Sequence, residues 1–198
     1  MRIVTLATSL MLAATALPAN AATVIVDAQA NSSSGGSGLA TGLMLTLGQS
    51  LNITSSLDDL WSAGALPRFS DANGLVGNRL ATATDDSGEA VGTQIGTDFG
   101  LWAQDGVSAP YGSLVGRIGS TYQLLGANFS GLAWGTGELE LFYWDSNNGD
   151  NTGTIAFDIE AAAAAVPEPA SWALLIFGFA AAGHIMRRRK KEIRVRYS

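Results

Sequence analysis

The stretch Glu138-Leu-Glu-Leu-Phe-Tyr-Trp144, Asp145-Ser-Asn-Asn-Gly-Asp-Asn-Thr-Gly153, Thr154-Ile-Ala-Phe-Asp-Ile-Glu160 reads as two strands joined by a polar loop. In the last segment Ile155, Phe157 and Ile159 alternate with Ala156, Asp158 and Glu160, the period of a half-buried strand. The first segment repeats the pattern, with Leu139, Leu141 and Tyr143 as its inner set. Working outward, Val24 to Ala28, Leu43 to Leu47, Leu51 to Thr54 and Leu114 to Ile118 give further short strands, and Gly48-Gln49-Ser50 is expected to turn a hairpin. Asn31 to Gly38 reads as a flexible loop, and residues 70–106, poorly patterned, as an insertion or surface loops. Many short strands with Gly-rich turns and little helical periodicity predict an all-β domain over residues 22–160, an antiparallel β-sandwich of jelly-roll type.

Charge divides the chain. Residues 23–165 hold Arg68, Arg79 and Arg117 against 15 carboxylates, while residues 187–198 hold seven basic residues against Glu192. An acidic main segment argues against a nucleic-acid partner, since phosphate binding needs clustered Lys and Arg. The absence of Cys removes disulfides, thiol catalysis and thiolate metal sites. The single His, His184, lies in the C-terminal apolar run, so neither a Ser-His-Asp triad nor a His-zinc site can form in the main segment.

Both ends carry signals. Residues 1–21 read as an export signal: Arg2, an apolar run from Ile3 to Leu17, Pro18, then Ala19-Asn20-Ala21 as a small-x-small cleavage site, so that the mature chain begins near Ala22. At the other end a linker (161–171) precedes an apolar helix (172–186) and a basic tail (187–198), the order expected of a transmembrane segment with a cytoplasmic stop. Trp172 to Met186 is only 15 residues, short of the roughly 20 a span needs, which suits a transient anchor as well as a permanent one.

Val166-Pro167-Glu168-Pro169-Ala170-Ser171-Trp172-Ala173, followed by a short apolar segment and Arg187-Arg188-Arg189, resembles the PEP-CTERM sorting signal in its PEPxxWA form. The resemblance implies a Gram-negative envelope or secreted protein, carried by the export machinery and cut near Pro167-Glu168-Pro169 by an exosortase-type processing enzyme. The same segment is also labelled after ice-binding proteins, but an address shared by unrelated exported domains says nothing of activity.

The loop Asp145 to Gly153 concentrates Asp145, Asn147, Asn148, Asp150 and Asn151. Hard cations take six to eight oxygens from carboxylates, amides and carbonyls, and with imidazole and thiolate absent only a calcium-like ion suits this set. The EF-hand template does not fit, because Gly149 falls at the fifth position and Ala156 at the twelfth. A polar turn without metal is the alternative, since turns use the same residues.

The order Val24 to Asp27, Thr41 to Thr46, Gly48 to Thr54, Tyr111 to Gly119, Gly137 to Asp145 and Asp150 to Phe157 is similar to the PA-I-type calcium-dependent galactose lectins and to galactose-binding-like jelly rolls. The resemblance implies Ca2+ held by Asp145, Asp150 and Asn151, with a carbonyl from about Asn147 or Asn148 and another near Gly64. The family's sugar-gripping His and Gln have no counterpart. At the corresponding stretch stand Trp102, which could stack on a sugar or fill the core, and Gln104 and Asp105, which could accept hydroxyls.

Three function classes follow. One is a calcium-dependent carbohydrate-binding protein of the envelope, with extracellular polysaccharide as its partner. Another is a structural surface or matrix protein whose calcium only braces a loop. The third, an enzyme, is disfavoured: Glu138 and Glu140 share one face of one strand, whereas glycosidase carboxylates face each other across the sugar.

Overall fold

Thr152–Ala161 forms a ten-residue strand in which Ile155, Phe157 and Ile159 are buried while Ala156, Asp158 and Glu160 are exposed, as its alternation requires. The computed structural model describes residues 20–163 and 169–189. These fall into two units, one ending at Ala163 and one beginning at Ala164. The strands of the first unit are β1 (Asn20–Asp27), β2 (Leu39–Leu45), β3 (Ser50–Thr54), β4 (Trp61–Ser62), β5 (Phe69–Ser70), β6 (Arg79–Leu80) and β7 (Gln94–Gly96). They continue with β8 (Leu101–Gln104), β9 (Val107–Pro110), β10 (Ser113–Ile118), β11 (Thr121–Leu124), β12 (Asn128–Leu132), β13 (Gly137–Trp144) and β14 (Thr152–Ala161).

Two antiparallel sheets carry the unit. One runs β12-β3-β14-β4-β5, with β1 pairing β14; the other runs β11-β10-β13-β2. Their inner faces share one core: Val26, Ile53, Phe157 and Ile159 from the first meet Leu45, Leu114, Leu139, Leu141 and Tyr143 from the second. Burying each large apolar side chain there contributes about 1.5–3 kcal/mol, so the alternation fixes the register of both sheets.

Four sequence expectations change. Gly48-Gln49-Ser50 turns no hairpin, because β2 pairs β13 while β3 pairs β12 and β14. The turn instead carries the chain from one sheet to the other, which lets Leu45 and Leu51 enter the same core from opposite sides. Asn31 to Gly38 is not a free loop. Asp27 Oδ1 accepts the N–H groups of Gln29 and Ala30, Asn31 Oδ1 accepts that of Asp27, and Ser32, fully buried, bridges Tyr143 in parallel. Within residues 70–106, Ala72 and Leu75 belong to the main core, and Ala81 and Ile95 pack with Leu60 in a small one. Finally, β13 is covered on both faces. Trp144, fully buried, packs with Ala109 and Val115 beneath Trp102 and Tyr122, and its indole N–H donates to Trp102 O at 2.8 Å.

The second unit contains α1 (Pro169–Arg189), where Trp172, Leu174, Phe177 and Phe179 are exposed. Among the described residues no helix is long and apolar enough to cross a membrane. The apolar part, Trp172 to Met186, rises only about 22 Å, against a hydrocarbon core of about 30 Å. The expected signal segment through residue 19, the motif residues Pro167 and Glu168, and the tail from residue 190 lie outside the described residues. Asn20 and Ala21 open β1, opposite Ala161 and Glu160.

Candidate functional site

The polar loop leaves the end of β13 at Asp145 and enters β14 at Thr152. Two neighbours define its position. On one side β4 pairs the start of β14, Trp61 opposite Gly153 and Ser62 opposite Thr152, which brings the chain after Ser62 alongside the loop. On the other side Ser33 clasps Asp145: its hydroxyl donates to Asp145 O at 2.9 Å and lies 3.1 Å from the Asp145 N–H. Beneath lies Tyr143, fully buried, with Trp61 edge-on to it at 4.8 Å.

Asp145 is only 5% exposed and Asn151 only 2%. Burial pushes the Asp145 carboxyl above its ordinary range, and the charge of Asp150 adds to the rise; the N–H groups of Ser146 and Asn147 and the Asn151 side chain act the other way. Ser146 N donates to Asp145 Oδ1 at 2.7 Å. The Asn151 amide donates to Ala28 O at 3.1 Å, and its Oδ1 is buried without a hydrogen-bond partner. An orphaned buried carbonyl costs about 1–3 kcal/mol, and a desolvated carboxylate adds to that cost. Both deficits are of one sign: they call for positive charge or donors at this point.

Asp150 stands at the rim. Its Oδ2 lies 3.6 Å from Arg68 Nη1, and its Oδ1 lies 3.5 Å from Asn147 Nδ2. Gly64 faces it: a Cβ there would collide with Asp150 Oδ2, and a φ of +119° already favours glycine. The loop after Trp61 therefore reaches Asp150. Asn148 directs its side chain elsewhere, and Asn147 spends its side-chain oxygen within the loop. Asn147 Oδ1 accepts the Gly149 N–H at 3.2 Å, and Asn148 donates to Gln29 O at 3.2 Å while packing on Gly35. Either can still offer a main-chain carbonyl.

Among the described residues no three of His, Cys, Asp and Glu stand together as a metal-binding group. Any ion here depends on amide and carbonyl oxygens beside Asp145 and Asp150, which is the donor chemistry of calcium rather than of zinc. The orphaned Asn151 Oδ1 and the buried Asp145 fit such an ion.

The other sequence candidates lie on the β8–β9 hairpin. Trp102 is half-buried, 6.2 Å from Tyr111, and its indole donates to Gln104 Oε1 at 3.1 Å. Gln104 also accepts from Ser34 Oγ at 3.0 Å and donates to Ser33 O at 3.0 Å. Asp105, at the exposed turn with φ +50°, accepts from Gln104. Gln104 is thus joined to Asp145 through Ser33, but its polar atoms are already occupied. Sequence reasoning missed Ser33 and the Ala28 carbonyl, which carry no residue signature, and Arg68, whose signal was its rarity in an acidic segment.

Residues 165–190 match the PEP-CTERM protein-sorting motif. No curated protein matches the chain. Among solved structures the chain is similar to one described as "EclA N-terminal domain; PllA-like lectin", at 19% identity and a TM-score of 0.45, over 70% of this chain and 94% of that one. The chain carries a PEP-CTERM protein-sorting motif after an antiparallel β domain.

Proposed function

We propose that the protein is exported, processed by an exosortase-type enzyme near Pro167-Glu168-Pro169, and binds carbohydrate of the extracellular matrix through a calcium-dependent site on the Asp145–Asn151 loop. The sorting motif at residues 165–190 supports the route. The observation that carries the site is the buried, unpartnered Asn151 Oδ1 beside the desolvated Asp145 carboxylate. Asp145, Asn151 and Asp150 supply side-chain oxygens, and the Gly64 region and Asn147 or Asn148 supply carbonyls. When bound, calcium offers open coordination positions to sugar hydroxyls. The protein's own part is to hold its ligands fixed: Ser33 pins the Asp145 backbone, Ala28 orients the Asn151 amide, and the absence of a Cβ at Gly64 leaves room for Asp150. No step of this reading requires catalysis.

A second reading, calcium as a brace without sugar, is favoured by one observation: Gln104 and the Trp102 indole N–H are hydrogen-bonded within the domain. A glycan array of the full chain with calcium and with chelator separates the two. Chelator-sensitive glycan signals support the binding protein; chelator-sensitive melting with a blank array supports the brace.

A further inference from the structure

Three arginines lie in residues 23–165, and two are bound to carboxylates within the scaffold. Arg79 Nη1 donates to Asp71 at 2.9 Å, and Arg117 pairs with Glu140. Arg68 differs. Its Nη1 lies 3.6 Å from Asp150 Oδ2, beyond a good hydrogen bond, and that carboxylate is itself a candidate cation ligand. The guanidinium is nevertheless held in place: Nη1 donates to Ala63 O at 3.3 Å, and its carbon stands 4.6 Å from the centroid of Phe99, which in turn packs edge-on to Tyr111 at 5.2 Å. Both contacts to Ala63 and Asp150 use one nitrogen, while a guanidinium carries five N–H donors. With its side chain 37% exposed, Arg68 presents a fixed, partly open fork beside the loop.

We propose that Arg68 selects acidic glycans, its guanidinium pairing with the carboxylate of a uronic-acid residue whose hydroxyls engage the adjoining Asp145–Asn151 site. This rests on the glycan-binding reading above. The charge arithmetic supports it: Asp145 and Asp150 contribute −2, a divalent ion +2 and Arg68 +1, so the loaded site is net positive within a segment whose three arginines face 15 carboxylates. Elsewhere that acidic surface repels an anionic polymer; here it is attracted. A neutral sugar needs no cation at this position, and a planar fork matches a carboxylate better than any other common anion-binding side chain.

The test is calorimetric titration of the full chain with a short oligogalacturonate and with its methyl ester, in excess calcium, with the heat of calcium–uronate mixing subtracted. The wild type should bind the acid about tenfold tighter than the ester, the increment of one good charge-assisted contact. Arg68→Gln should bring the acid down to the level of the ester, and Arg68→Lys should keep part of the preference. Titrated with calcium alone, Arg68→Gln should bind the ion several-fold tighter, because a cation beside Asp150 has been removed.

An equal affinity of the wild type for acid and ester, a full preference retained in Arg68→Gln, or an unchanged calcium affinity in that variant overturns the assignment of Arg68. Ester binding by the wild type would leave the glycan site standing in each of these cases. Failure to bind either compound overturns the assignment of Arg68, while the glycan array with calcium and with chelator decides the glycan site itself. Should Arg68→Gln lose the fold by circular dichroism, Arg68→Lys decides: a reduced preference supports the assignment and an undiminished one overturns it.

Discussion

The side-chain amide of Asn151 donates to the Ala28 carbonyl at 3.1 Å, which fixes the amide and leaves its buried Oδ1 without a donor. A carbonyl cannot accept from another carbonyl, so the opposite orientation of the amide is excluded. Asn151→Ala strands the Ala28 carbonyl but also removes the orphaned Oδ1, two penalties of about 1–3 kcal/mol that oppose each other, so calcium-free denaturant unfolding should change little. The substitution should nevertheless remove the calcium response. A variant that keeps that response would take Asn151 out of the ion's coordination.

Tyr143 and Trp61 offer an internal contrast. Both are fully buried and pack edge to face, yet the Trp61 indole donates to Gly112 O at 2.7 Å while the Tyr143 hydroxyl has no partner. Burial, with the charges of Asp145 and Asp150 behind it, pushes the Tyr143 phenol well above its ordinary range, so the group stays neutral. Tyr143→Phe should therefore change stability by less than about 0.5 kcal/mol or raise it, because no hydrogen bond is lost. Trp61→Phe should cost about 2–4 kcal/mol through the lost donor and the void. Chemical denaturation of both variants gives the comparison; equal costs would mean that the hydroxyl is satisfied.

A third prediction concerns pH. Partial desolvation raises the Asp86 carboxyl above its ordinary 3.8, the Leu60 N–H pulls it down, and the neighbouring Asp59 carboxylate raises it again. The folded chain therefore holds this proton more tightly than the unfolded one. Its stability rises as pH falls through the folded value, and the gain is complete below 3.8. Asp86→Asn keeps an acceptor for Leu60 N–H and removes the repulsion. It should melt about a degree or two higher than wild type at neutral pH, a small gain because the group is solvent-exposed. The difference should close on acidification toward pH 4. A variant that melts lower than wild type at neutral pH would contradict this.

How much of this was legible in the sequence follows from where the physics is local. Period-two alternation displayed Ile155, Phe157 and Ile159, and the same rule found Leu139, Leu141 and Tyr143, because core burial acts on every second residue. Trp144 escaped the rule: its cover comes from the distant Ala109 and Tyr122, and alternation cannot tell a solvated outer face from one roofed by a hairpin. Gly48-Gln49-Ser50 looked like a hairpin because turn residues mark a reversal without saying which sheet the next strand joins. In the loop, the density of Asp and Asn marked Asp145, Asn147, Asn148, Asp150 and Asn151 alike, and residue type could not separate the inward Asn151 from the outward Asn148. The partners that settle that difference, Ala28 and Gln29, act through main-chain carbonyls, which every residue carries.

The most direct measurement is the melting of the full chain, stripped of metal and shown to be folded, with calcium at roughly 1 mM and with chelator. For a dissociation constant of about 10⁻⁴ to 10⁻³ M the binding contribution is about 0.4–1.4 kcal/mol. That corresponds to a rise of about 1–5 °C for a domain of this size. Magnesium should give much less, since it resists dehydration and demands tighter octahedral geometry. Asp145→Ala should abolish the rise. Asp85→Ala should lower the baseline, because Asp85 accepts hydrogen bonds from Thr82 and Ser87, but should leave the calcium increment intact. Identical melting with calcium and with chelator would contradict the account and return the Asp145–Asn151 loop to a polar turn.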